Sequence, residues 1–195
     1  MGRYRPYGAK ELAYVGIFTA AMAVFAQISI PLPFTPVPMT LSLFAVYLSA
    51  TILPLRGAVL VQAAYLSLGA AGMPVFANFG SGFSTLAGPT GGYIISYAFM
   101  AAVVAGLSAR IGANAKPPMG EAVRSVAYAA VYLLALAVCY AFGALWMAAV
   151  MRAGFAQTLR LAVVPFLPLD VAKVAACAAM APKLRKAFPA RAAGA

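Results

Sequence analysis

Ser125-Val-Ala-Tyr-Ala-Ala-Val-Tyr-Leu-Leu-Ala-Leu-Ala-Val-Cys-Tyr-Ala-Phe-Gly-Ala-Leu-Trp-Met-Ala-Ala-Val150 contains no charged residue and no proline. A helix needs roughly 20 apolar residues to cross the hydrocarbon core of a bilayer, and this stretch exceeds that length. Hydrocarbon offers no water to pair with backbone N–H and C=O groups, so a lone segment of this kind must satisfy them within itself, as a helix. The rest of the chain agrees. Of its 195 residues 65% are hydrophobic and 9% charged, against roughly 45–50% and about 25% in soluble domains. One small core cannot bury so large an apolar fraction, and lipid takes the remainder.

Working outward, five further apolar runs read as spans. With 125–150 they are 12–30, 39–53, 57–72, 91–108 and 165–182, and the expected fold is all-α: a single integral membrane domain over 1–195, built as a six-transmembrane-helix bundle. The first run follows only eleven residues, but it is too long for a signal-peptide core and lacks a convincing cleavage site, so it reads as a retained helix. Between the first two runs lies Pro31-Leu-Pro-Phe-Thr-Pro-Val-Pro38, whose prolines forbid helix and predict an extended connection. Pro54-Leu-Arg56 makes the second and third runs a tight hairpin, and both are short enough to require tilt or shielding by neighbours. Pro74, Gly80, Gly82, Gly88 and Pro89 mark 73–89 as an uncharged loop rich in breakers. Residues 110–124 form a charged loop and 151–160 a link to the last span. Pro165 and Pro168 predict a broken start to that span, with helix from near Leu169 to near Ala181.

Lysine and arginine accumulate on the cytoplasmic side of membrane helices. Of the 14 such residues here, Arg3, Arg5, Lys10, Arg56, Arg110, Lys116, Arg124, Lys183, Arg185, Lys186 and Arg191 fall on one side of the six-span arrangement. Only Arg152 and Arg160 fall on the other, and Lys173 is embedded. Both termini are therefore expected in the cytoplasm, and the proline-rich and glycine-rich loops outside. The net charge of +11 resides in these short flanking clusters, without the continuous basic face of a nucleic-acid binder.

Asp170 is the one acid outside the flanking clusters, and Lys173 lies on the same helical face three residues on. Each ion alone costs roughly 2.5–3.5 kcal/mol at mid-membrane. The pair reads either as a structural ion pair or as part of a ligand path, the commoner role of intramembrane ionisable groups. Asn78, in Phe76-Ala-Asn-Phe-Gly-Ser-Gly82, is a turn former or a two-way hydrogen-bonding group in a loop that closes over an apolar ligand. Thr90, Gly91 and Tyr93, at the start of the next span, join the candidate set: glycine lets backbone approach closely and Tyr93 adds a hydroxyl. On the first span Gly16 and Ala20 form a small-xxx-small pair, suited to a partner helix or to packing within the bundle. Cys139 and Cys177 sit in apolar runs with no histidine in the chain, which points to packing rather than metal binding. Phosphate-loop, nucleophile-elbow and zinc-protease motifs are absent, so the expectation is a non-enzyme with no cofactor.

Gln27-Ile-Ser-Ile-Pro-Leu-Pro33, Pro36-Val-Pro38, Leu68-Gly-Ala-Ala-Gly-Met-Pro-Val-Phe-Ala77, Gly88-Pro-Thr-Gly-Gly-Tyr93 and Pro165-Phe-Leu-Pro-Leu-Asp-Val-Ala-Lys173 follow one another along most of the chain. In this the sequence resembles the BioY family, the biotin-specific membrane S components of energy-coupling-factor (ECF) transporters. The resemblance implies a six-helix bundle with cytoplasmic termini and extracellular lid loops, in the cytoplasmic (inner) membrane of a prokaryote. It implies high-affinity biotin capture at the outer face for ATP-driven import by a transmembrane coupling (T) protein and ATPase subunits. It places Asn78, Asp170 and Lys173 among the ligand-contacting residues and Gly16 and Ala20 at the docking site for the coupling protein. The sequence departs from the family at Gly16, where alanine is usual, at Leu169, where glycine is usual, and at Ser42, often glutamine. Residues 57–109 hold no basic residue to clamp a carboxylate. An S component for another vitamin, a self-sufficient small-molecule carrier and a structural membrane protein are the alternative readings.

Overall fold

Helices that are apolar all round have no polar face to turn to water, so the long uncharged helices of this chain pack on one another and on lipid. The computed structural model describes residues 8–111 and 120–188. Arg3, Arg5, Lys116 and Arg191 of the charge argument lie outside them. In order the elements are α1 (Ala9–Gln27), β1 (Ser29–Ile30), β2 (Met39–Thr40), α2 (Ser42–Ile52), α3 (Leu55–Ala70), a 3-10 turn (Ala77–Phe79), α4 (Gly82–Ala87), α5 (Gly91–Ile111), α6 (Glu121–Met151), α7 (Phe155–Ala162) and α8 (Leu167–Ala187).

Among the described residues α1, α5 and α6 are each long and apolar enough to cross a membrane. A fourth candidate span is broken, with α7 and α8 meeting at 58°. The break falls at the Pro165 and Pro168 segment, as expected, because proline removes a backbone donor and crowds the preceding turn. The helices α2 and α3 are apolar but shorter. At 11 residues α2 rises only about 16 Å, and it is shielded on several sides by contacts with α1, α3, α5 and α8. Most of its residues are accordingly buried, from Ser42 and Leu43 to Ala50 and Thr51.

Three segments differ from the sequence expectation. The 73–89 loop holds a 3-10 turn and the short α4, since Gly82 to Ala87 forms one helical turn and a half between the glycines that bound it. The 151–160 link becomes α7 after a left-handed turn at Arg152. The last helix begins two residues before Leu169 and runs to Ala187, with Pro182 inside it. Pro31 to Pro38 stays non-helical, and its flanks zip into a two-rung antiparallel ladder, Ser29 with Thr40 and Ile30 with Met39.

The centre of the bundle is aromatic. Tyr47 of α2 stacks on Tyr132 of α6 with ring centroids 4.7 Å apart, and the Thr51 and Tyr132 hydroxyls are 2.5 Å apart. Between α5 and α6 the approach is set by glycine: a Cβ at Gly143 would lie 2.3 Å from the Tyr93 ring, and one at Gly92 the same distance from Trp146. Cys139 and Cys177 are buried thiols. Gly143→Ala should therefore lower stability by about 1–3 kcal/mol through overpacking. Gly106→Ala, where an added Cβ meets nothing within 4 Å, should be neutral or stabilising. Thermal unfolding of both variants in detergent checks the contrast.

Candidate functional site

The first turns of α8 bring the embedded charges into the bundle. Asp170 and Lys173 are 4% and 6% exposed, and Lys173 Nζ lies 2.7 Å from Asp170 Oδ1. The second carboxylate oxygen accepts a hydrogen bond of 2.6 Å from the Tyr140 hydroxyl of α6. Lys173 Nζ also donates to the Thr40 carbonyl at 2.5 Å. The pair thus binds three elements together: α8, α6 and the strand that closes the first loop.

Neither ion is saturated by these bonds. An ammonium has three donors and a carboxylate about four acceptor positions, so Lys173 retains one N–H and Asp170 further lone pairs. Both groups line a cavity of about 50 Å³ shared with Val37, Pro38, Thr40 and Leu43, with Tyr93 and Tyr97 of α5, with Cys139 and Tyr140, and with Ala162 and Phe166. Its walls are mostly apolar, and its polar groups are concentrated on the α8 side.

Of the residues expected from sequence, the structure gathers Asp170, Lys173 and Tyr93 around this cavity. The Tyr93 hydroxyl is occupied, donating to the Ala162 carbonyl at 3.1 Å. Thr90 and Gly91 are not among the lining residues. The Thr90 carbonyl accepts from the N–H groups of Tyr93 and Ile94 and so begins α5. The close approach that Gly91 permits is to α4, where an added Cβ would lie 1.6 Å from the Leu86 carbonyl oxygen.

Asn78 sits apart from the cavity on the exposed 3-10 turn, with φ 55. Its Oδ1 accepts from the Ser29 hydroxyl at 2.6 Å. Ser29 pairs with Thr40 in the two-rung ladder, and Thr40 accepts from Lys173. One rung therefore connects the glycine-rich loop to the buried ion pair. Gly16 and Ala20 are both exposed on α1, flanking the buried stripe of Val15, Thr19, Met22 and Ala26, and nothing lies within 4 Å of an added Cβ at Gly16.

Tyr140, Thr40 and Tyr97 line the site without having been singled out in the sequence, and Cys139, read there as a packing residue, joins them in the lining. Tyrosine recurs along α6 at positions 128, 132 and 140, and only the tertiary fold tells which one meets the carboxylate. Among the described residues no cluster of histidine, cysteine or acid could hold a metal ion.

Removing one member of a buried ion pair strands the other, at a cost of about 3–5 kcal/mol, whereas replacing both by apolar residues of similar volume is often neutral. Asp170→Ala and Lys173→Ala should each lower the unfolding temperature markedly, and the double variant Asp170→Leu/Lys173→Met should regain most of it. Thermal melts of the three purified variants test this.

The sequence matches the BioY family over residues 3–190. It is 38% identical over 178 residues to a Thermotoga maritima protein named biotin transporter BioY, covering 91% of this chain and 96% of that one. It is 36% identical over 177 residues to a probable biotin transporter BioY of Pyrococcus horikoshii, covering 91% and 97%. In structure it resembles the S-component for biotin from an ECF-type ABC transporter, with a TM-score of 0.78 over 91% of each chain at 23% sequence identity.

Proposed function

The chain belongs to the BioY family, and on that premise we propose that it is the biotin-binding membrane subunit of an ECF-type uptake transporter. It is not an enzyme: it captures biotin at the outer face, and ATP-driven partner subunits drive release inward. The observation that carries the binding reading is the Asp170–Lys173 pair, buried yet unsaturated, at the wall of a cavity beside the uncharged loops. Asp170 would accept the N–H donors of the ureido ring and Lys173 would meet the carboxylate, while apolar lining encloses the thioether ring. Tyr93 lines the same cavity, while Asn78, Thr90 and Gly91, outside its lining, would reach the ligand once that lining parts.

In this reading the chain is one domain of six spans in a prokaryotic cytoplasmic membrane, with both termini in the cytoplasm. The charge asymmetry supports that orientation, and the two short helices count as spans tilted or shielded by neighbours. The cavity, at about 50 Å³, is far smaller than the roughly 300 Å³ of a pocket that encloses a small organic ligand. Capture therefore requires the lining to part, and the segment best able to move is the non-helical first loop, held to α8 through Thr40. Gly16 and Ala20, on the exposed face of α1, supply the close-approach surface for the coupling protein.

Equilibrium binding of labelled biotin to purified protein tests the reading. Saturable binding, not competed by thiamine or riboflavin and weakened at least a hundredfold in Asp170→Ala, is expected; binding unaffected by that change would sink the site. Bulky substitution on the other face, Gly16→Trp with Ala20→Trp, should leave biotin affinity within twofold while abolishing co-purification with the coupling protein and ATPases.

A further inference from the structure

The carboxamide of Gln27, the last residue of α1, is spent entirely on one loop. Its Nε2 donates to the carbonyls of Phe76 at 2.9 Å and Pro74 at 3.4 Å, and its Oε1 accepts from the backbone N–H of Phe79 at 2.9 Å. The segment so held contains Asn78 and Phe79, consecutive non-glycine residues with left-handed backbone, φ 55 and 57. Side-chain-bearing residues disfavour that conformation, which persists only where surrounding contacts over-determine it.

Those contacts can be named. On one side the Phe76 ring fills a notch at Gly69, where an added Cβ would lie 2.0 Å from the ring, and the Tyr65 hydroxyl donates to the Val75 carbonyl at 3.1 Å. On the other side stands Gln27, which grips the chain both before and after Asn78. Ser29, two residues further on, then donates to Asn78 Oδ1 at 2.6 Å. With one lone pair of its oxygen engaged, the Asn78 amide keeps both Nδ2 donors for a ligand.

We propose that Gln27 and Ser29 are positioning residues for ligand recognition: Gln27 sets the strained backbone of 78–79, and Ser29 fixes the Asn78 side chain with its Nδ2 donors free. This rests on the reading of Asn78 as a ligand-contacting residue given above. Asn78 and Asp170 then have opposite polarity, donor and acceptor. A urea carries both a carbonyl acceptor and N–H donors, so it can bond to either group.

Two measurements on the full-length protein in nanodiscs test the proposal. Amide hydrogen exchange without biotin should accelerate at least tenfold at Phe79 in Gln27→Ala, because its acceptor is gone, while Phe76, whose N–H bonds the Gly80 carbonyl, stays protected. Unchanged exchange at Phe79 overturns the clamp whatever the ligand proves to be. Biotin titration should show Gln27→Ala weakening binding at least tenfold in the wild-type background and less than twofold in Asn78→Ala, since a residue acting through another loses its effect when that residue is removed. Ser29→Ala, which touches only the Asn78 side chain, should follow the same pattern, with Ser29→Thr restoring affinity; it serves as the test should Gln27→Ala not fold. Equal losses in both backgrounds overturn the positioning role. An Asn78→Ala variant that binds as wild type overturns it too but leaves the biotin subunit standing, whereas a wild-type protein without saturable binding removes both.

Discussion

A carboxylate and an ammonium buried among apolar helices constrain everything around them. Neither ion is tolerated in hydrocarbon without a partner, and mutual neutralisation still leaves lone pairs and N–H groups that demand hydrogen bonds. Here the demand is met by the Tyr140 hydroxyl from α6 and the Thr40 carbonyl from the strand before α2. The pair therefore gathers one end of the bundle around itself. Buried ion pairs contribute little net stability compared with an apolar replacement. Their place in this wall is better explained by the unsatisfied valence they present to the cavity than by the energy of the fold.

Elsewhere the bundle is held by shape. Lipid tails are as apolar as leucine, so helices in a membrane associate by close van der Waals contact at small residues. Gly143 receives the Tyr93 ring, Gly92 receives Trp146, Gly69 receives Phe76, and Gly91 meets the Leu86 carbonyl. Large apolar side chains such as Ile17, Val24, Val126 and Leu145 point outward, each more than half exposed. In water such a surface would drive aggregation; against acyl chains it is the appropriate solvent-facing side.

Sequence reading reached the elements whose cause is local. Long uncharged runs became α1, α5 and α6, and the Pro165 and Pro168 pair became the bend between α7 and α8. The i to i+3 spacing of Asp170 and Lys173 was enough to predict that they meet. Where the cause is tertiary the sequence was silent. Glycines at 80, 82 and 88 suggested only loop, yet α4 forms in their midst, packed on α3 and α5. Nothing in the spacing of Tyr128, Tyr132 and Tyr140 marks the last as the donor to Asp170. Gly91 drew notice for close backbone approach, and the approach the fold makes there is to the Leu86 carbonyl of α4.

The first helix joins two ends of the molecule's chemistry. Its exposed face carries Gly16 and Ala20, its buried face carries Val15, Thr19, Met22 and Ala26, and its last residue holds the 74–79 backbone through three hydrogen bonds. A helix transmits displacement along its axis with little loss, while hydrogen bonds of 2.9 Å weaken steeply when stretched by a fraction of that length. Any shift of α1 relative to α3 is therefore felt first at Phe76 and Phe79, and next, through Ser29 and its rung partner Thr40, at Lys173. Under the docking role proposed for Gly16 and Ala20, the docking face and the loop clamp lie on one helix.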